Sequence, residues 1–252
     1  MVQRAIIFVI LTLIASVTIA QKKSADSAIT IPMVYAQYGY QFPGGDMEER
    51  FGNNSVLGGG FTLKTKKNWI LGAEYNFMFG NDAKEGFSIL EDLMTSEGII
   101  ISGDGTPAVV ALFERGHIGS VKFGKLFPML SPNKNSGFFV TVGLGILTHK
   151  VRIEVENQSA PQLKDDYRRG YDRLTAGLQL NQSIGYMYFG KRNVTNFTIS
   201  FECFEGFTKG QRDYLFDTRQ PGNASRMDIL FGPKIAWMIP FRKRGPQEFY
   251  YY

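Results

Sequence analysis

The stretch Trp69-Ile70-Leu71-Gly72-Ala73-Glu74-Tyr75-Asn76-Phe77-Met78-Phe79 decides the reading of this chain. Its odd positions carry Trp, Leu, Ala, Tyr, Phe and Phe, while Gly72, Glu74 and Asn76 stand between them. Alternation with a period of two marks a β-strand with two unlike faces, because successive side chains leave the pleat on opposite sides. One face here is oily and bounded by aromatics; the other is small, polar and charged.

The pattern recurs on both sides of this segment. Upstream, residues 55–65 lead into it through the tight turn Lys66-Lys67-Asn68, and residues 31–42 place Val34, Ala36, Tyr38, Tyr40 and Phe42 on one face. Downstream, strands are expected at about 109–127, 138–155, 174–188, 197–207 and 227–241. Between the third and fourth strands lies a long connection with a possible short helix near 87–94. Beyond His149 the alternation of the fifth strand is expected to change phase, at a bulge or at an exit from lipid. Eight such strands form the smallest common barrel, whose interior side chains can fill. The expected fold is all-β: an eight-stranded antiparallel up-and-down transmembrane β-barrel.

Trp69, Phe79, Phe127, Phe138, Tyr186, Tyr188, Trp237 and Phe241 fall where two aromatic girdles would meet the headgroups. A soluble β-sandwich or lipocalin-like barrel is the alternative, but it would turn its apolar face inward. The connections after strands two, four and six are short, which puts them on the periplasmic side and the longer ones outside.

Residues 1–20 carry Arg4, an apolar run and the small residues before Gln21, the form of a cleaved secretory signal. The apolar run is shorter than the roughly 20 residues that a spanning helix needs. No Cys follows the cleavage point, which argues against a lipid anchor. The expected organisation is a signal at 1–20, a barrel at 21–241 and a basic, aromatic periplasmic tail at 242–252. Removing 1–20 takes the 252-residue chain to 232 and its formal charge from +5 to +4, too little to argue for nucleic acid. The single cysteine, Cys203, forms no intramolecular disulfide and reads as a small lipid-facing residue.

With Leu57-Gly58-Gly59-Gly60-Phe61, Val142-Gly143-Leu144-Gly145 and the final strand Ile235-Ala236-Trp237-Met238-Ile239-Pro240-Phe241, the chain resembles the small outer-membrane barrels of the OmpA, OmpX and OmpW-like group, nearest to the PorT-like barrels of Bacteroidetes. The resemblance implies location in the outer membrane of a Gram-negative bacterium, among outer-membrane lipid and lipopolysaccharide. It also implies passage through the barrel-insertion machinery and an accessory role in secretion or another envelope complex. A last strand ending in an aromatic is similar to the insertion signal of such families; here the tail follows Phe241.

The inward face carries one persuasive constellation. Glu74 and Lys122 are expected on neighbouring strands at similar depth, as are Glu202 and Lys234, so that each pair could close across the lumen wall. They read either as a gate or as charge that a closed interior must neutralise. Lipid A-modifying barrels are a third reading, but His117 and Ser120 differ by an odd number and should face opposite ways, with Glu114 nearby. His149 has no evident acidic or serine partner in the sequence. The acidic cluster Asp46-Glu48-Glu49 and Gly103-Asp104-Gly105 lack calcium-loop spacing, so neither metal nor cofactor is expected. The expectation is a non-enzymatic, largely closed barrel acting structurally or as an accessory subunit, with a narrow pore for small solutes as the alternative.

Overall fold

A computed structural model describes residues 27–156, 160–190 and 195–241. The expected signal at 1–20 and tail at 242–252 lie outside them. The alternating segments form β1 (Ile31–Gly45), β2 (Asn54–Lys64), β3 (Trp69–Gly80), β4 (Val110–Phe127), β5 (Gly137–Val155), β6 (Thr175–Phe189), β7 (Asn196–Gly210) and β10 (Ser225–Pro240). These eight close into one barrel in the order β1-β10-β7-β6-β5-β4-β3-β2, with every neighbouring pair antiparallel. Closure leaves no sheet edge, so every strand's backbone groups find partners without water, as a membrane-spanning sheet requires.

The outward face is apolar on all eight strands. Leu57, Tyr75, Val121, Leu144, Leu178, Ile199, Ile235 and Tyr38 are all exposed, one from each strand. Such a continuous belt far exceeds the apolar patches that soluble monomers show to water, and it excludes the sandwich and lipocalin alternatives. Polar exceptions on the outward face satisfy one another: Gln182 Nε2 donates to Glu205 Oε1 at 3.2 Å, and Tyr75 Oη bonds His117 Nδ1 at 2.6 Å. Cys203 also points outward, half-buried beside Gln182.

The tight turn from β2 to β3, in which Asn68 takes φ 62°, and the connection of β4 to β5 lie at one end of the barrel, where β6 also ends and β7 begins. The other end carries the long connections, which fold over the barrel mouth. Helix α1 (Asp46–Arg50) joins β1 to β2, and a 3-10 helix (Gly86–Leu93) lies between β3 and β4. Helix α2 (Asp165–Arg169) precedes β6, and a small hairpin of β8 (Arg212–Leu215) and β9 (Gln220–Gly222) precedes β10. Gly45 starts α1 at φ 61°, and a Cβ there would lie 2.4 Å from Met227 O, so only glycine lets the chain turn in.

Of the two origins expected for the phase change beyond His149, the bulge is not present, and an exit from lipid fits the ladder. The β4–β5 ladder runs without a slip to the pair Val110↔Val155, and His149, Val151 and Ile153 keep facing inward. What changes is the chemistry of each face. Lys150, Arg152 and Glu154 point outward while Val151 and Ile153 enter a core, as suits a barrel that continues beyond the lipid and packs a lid inside.

Candidate functional site

The lumen is filled in layers, each set by residues that alternate inward. At the short-turn end Ile31, Met33, Ile70, Leu126, Phe139, Met187, Phe189 and Met238 form a buried apolar plug. Above it lies a cavity of about 50 Å3 beside Tyr35, Thr141, Ser183 and Ser200, room for a few waters.

The charged residues come next. Lys122 Nζ stands 2.7 Å from Glu74 Oε1 and 2.5 Å from Glu202 Oε1, and Lys234 Nζ stands 2.6 Å from Glu202 Oε1 and 3.4 Å from Glu74 Oε2. The two expected pairs are therefore one alternating ring of four charges spanning the lumen. Ladder partners are offset by two residues, Lys122 opposite Gly72 and Lys234 opposite Ser200, so the contacts run diagonally. Tyr35 donates to Glu74 Oε2 at 3.1 Å, and Asn76 donates to Glu74 Oε1 at 3.2 Å while accepting from Gln37 at 2.5 Å. Glycines make room for these long side chains: a Cβ on Gly60 would meet the Tyr35 hydroxyl at 2.7 Å. With both carboxylates bonded to both ammoniums, the burial of four charges is compensated.

A second polar layer, absent from the sequence expectations, lies toward the long-loop end. His149 Nε2 pairs with Asp228 Oδ2 at 2.8 Å, and Thr208 donates to the same oxygen at 2.5 Å. His149 thus has the acidic partner that linear reading did not supply, because Asp228 comes from β10 across the lumen. Asn54 donates to Glu114 Oε1 at 3.3 Å in the same layer. The three residues weighed for catalysis separate: His117 faces outward, whereas Ser120 and Glu114 face inward, Ser120 bonding Gln179.

The lid closes the mouth. Met47 and Phe51 from the α1 segment, Ile89 and Leu90 from the 3-10 helix, and Ala160 and Leu163 pack with barrel residues Met78, Ile118, Leu147 and Phe204. Arg50 pins it: its guanidinium pairs with Glu85 at 3.3 Å and donates to Thr175 Oγ1 at 3.0 Å and Arg173 O at 3.1 Å. Burial pulls the Arg50 pKa down from its usual value, and Glu85 opposes the shift. Burial also disfavours charge on Arg173, but Glu85 and Asp217, both bonded to it, outweigh this and raise its pKa.

All eight aromatics named from the sequence lie on the outward face or its rim. Trp69, Phe127, Phe138, Tyr186, Tyr188, Trp237 and Phe241 sit at the short-turn end, and Phe79 alone marks the other. The second rim is completed by Phe42, Phe77, Phe207 and Phe231, which the sequence reading left unassigned to it.

No protein-family model matches the sequence, and the curated proteins give no match. Among solved structures, the chain is similar to Ail, the attachment invasion locus protein of Yersinia pestis, solved with the heparin analogue sucrose octasulfate. That match has 9% identity and a TM-score of 0.42, over 83% of this chain and 99% of that one. Neisserial surface protein A matches at 8% identity and TM-score 0.41, over 82% and 96%. The outer membrane protein OprG of Pseudomonas aeruginosa matches at 9% identity and TM-score 0.32, over 83% and 94%. The eight-stranded architecture is read from the ladders of this chain, and its likeness to these barrels is one of fold.

Proposed function

We propose that this protein is an integral outer-membrane barrel with a sealed lumen, whose work is done by its long-loop surface or by association with other envelope proteins. The carrying observation is the stack of closures: an apolar plug, a four-charge ring and an apolar lid lie one above another in a single lumen. A non-enzymatic role accords with the fully buried His149–Asp228 pair, which lies beneath the lid where no substrate reaches it. Resemblance to PorT-like barrels adds the finer reading of an accessory subunit in a secretion assembly. Affinity isolation from mild-detergent extracts of outer membranes, with a tag inserted between Glu156 and Ala160, tests this. A stoichiometric partner supports the subunit reading; recovery of the barrel alone overturns it.

A second reading, a narrow gated pore, is favoured by one feature. The ring of four charges crosses the lumen next to a cavity that Glu74, Lys122 and Lys234 also line, so charged side chains and an empty space share one level of the lumen. If the ring were a gate, Glu74→Ala with Glu202→Ala would raise conductance in planar bilayers.

A further inference from the structure

The outside of the β4–β5 hairpin changes character along its length. Moving toward the long-loop end, the outward ladder pairs are Gly119↔Ile146, His117↔Thr148 and Arg115↔Lys150, with Arg152 next on β5. Gly119 is a notch on the lipid-facing side, flanked by Tyr75 on β3 and Ile146 on β5, and a Cβ there would meet nothing within 4 Å. Directly beyond it opens a crevice of about 740 Å3, backed by Phe77, His117 and the strand residues and overhung by α2 and Arg212.

The crevice is strongly basic. Arg115, Lys150, Arg152, Arg168, Arg169 and Arg212 line it against only two carboxylates, Asp166 and Asp172. Arg212 and Lys150 share Asp172, at 2.6 and 3.9 Å, and Arg169 pairs with Asp166 at 3.1 Å, while Glu154 pairs with Arg152 at 2.7 Å. Among the described side chains no carboxylate pairs with Arg168 or Arg115; Arg115 Nη1 donates to the carbonyls of Gly80 and Glu114. A surplus of cations just past an aromatic rim, above a notch in the apolar belt, is complementary to an amphiphile with an anionic head.

We propose that this face binds a phosphorylated membrane lipid, with its phosphates in the crevice and an acyl chain along the Gly119 notch. The proposal rests on the reading of the chain as an outer-membrane barrel, and it names the lipid class and the place of contact. The shared chemistry is the phosphate ester, and the notch is what selects a lipid over a soluble polyanion.

The test uses the folded protein in maltoside micelles, titrated with diphosphoryl lipid A and with inositol hexakisphosphate, and read by native mass spectrometry. Folding is checked by heat-dependent gel migration. Lys150→Ala, Arg152→Ala and Arg168→Ala together are expected to weaken diphosphoryl lipid A about a hundredfold, since each cation near an anionic lipid surface contributes about fivefold. Gly119→Leu is expected to weaken the lipid while leaving inositol hexakisphosphate unchanged. Equal lipid affinity in the triple variant, or a Gly119→Leu variant that binds both ligands as the wild type does, would overturn the lipid site. A wild-type chain that fails to insert into liposomes overturns the membrane reading itself, whereas one that inserts but binds no diphosphoryl lipid A overturns the site alone.

Discussion

Lys122 on β4 lies 2.5 Å from Glu202 on β7, three strands away around the barrel, and 2.7 Å from Glu74 on the adjacent strand. The lumen is so narrow at this level that side chains from opposite walls meet as closely as neighbours on one wall. This joins two local pairs into a ring and ties the two sides of the barrel together.

Stability follows from that ring. Glu74→Ala with Glu202→Ala leaves Lys122 and Lys234 buried without counter-charges and is expected to cost about 3–5 kcal/mol. Replacing all four by Leu and Met at matched volume is expected to be neutral or to stabilise by about 1–4 kcal/mol. Urea unfolding of the barrel in lipid vesicles compares the two. A quadruple variant less stable than the double one would show that the charges do more than compensate each other.

The two histidines should differ in chemical access. His149 is buried with Asp228 under the lid, whereas His117 faces outward with Tyr75. Diethylpyrocarbonate is expected to modify His117 in the folded protein and His149 only after unfolding. Rapid modification of His149 in the native state would mean that the lid opens.

The lid itself should loosen without the barrel. Arg50→Ala removes the contacts to Glu85, Thr175 and the Arg173 carbonyl, although Arg173 still holds Glu85. Limited proteolysis is expected to cut faster between β3 and β4, with heat-dependent gel migration unchanged. Loss of that migration shift would show that α1 is needed for the barrel to form.

The outward Gln182–Glu205 pair sits among apolar neighbours. Glu205→Leu with Gln182→Leu removes polar groups from a lipid-facing surface and is expected to stabilise the barrel by about 1–3 kcal/mol in vesicles. Destabilisation would indicate that the pair is engaged by a further component of the membrane.

Strand periodicity made the barrel legible, because the pleat converts a period of two into two faces and lipid enforces the outer one. Glu74, Asn76, Lys122 and Glu202 stood out as polar residues on otherwise oily strands, so the ring could be anticipated strand by strand. Its joining across the lumen could not, since contacts between β4 and β7 depend on barrel width and tilt. The His149–Asp228 contact was hidden for the same reason, and Arg50–Glu85 because it joins two connections whose packing no strand period announces. Of the two readings of the phase change at His149, the bulge fails because the geometry does not shift, and the exit from lipid fits because the two faces exchange chemistry. Val151 and Ile153 point inward as before, but toward a lid that linear sequence does not announce.

Single-channel recording in planar bilayers tests the sealed lumen most directly, comparing the wild-type protein with the folded Glu74→Ala, Glu202→Ala variant. A lumen closed independently by plug, ring and lid predicts no conductance steps in either protein. Discrete openings in the double variant, with a silent wild type, would contradict it and establish the charge ring as the gate of a pore.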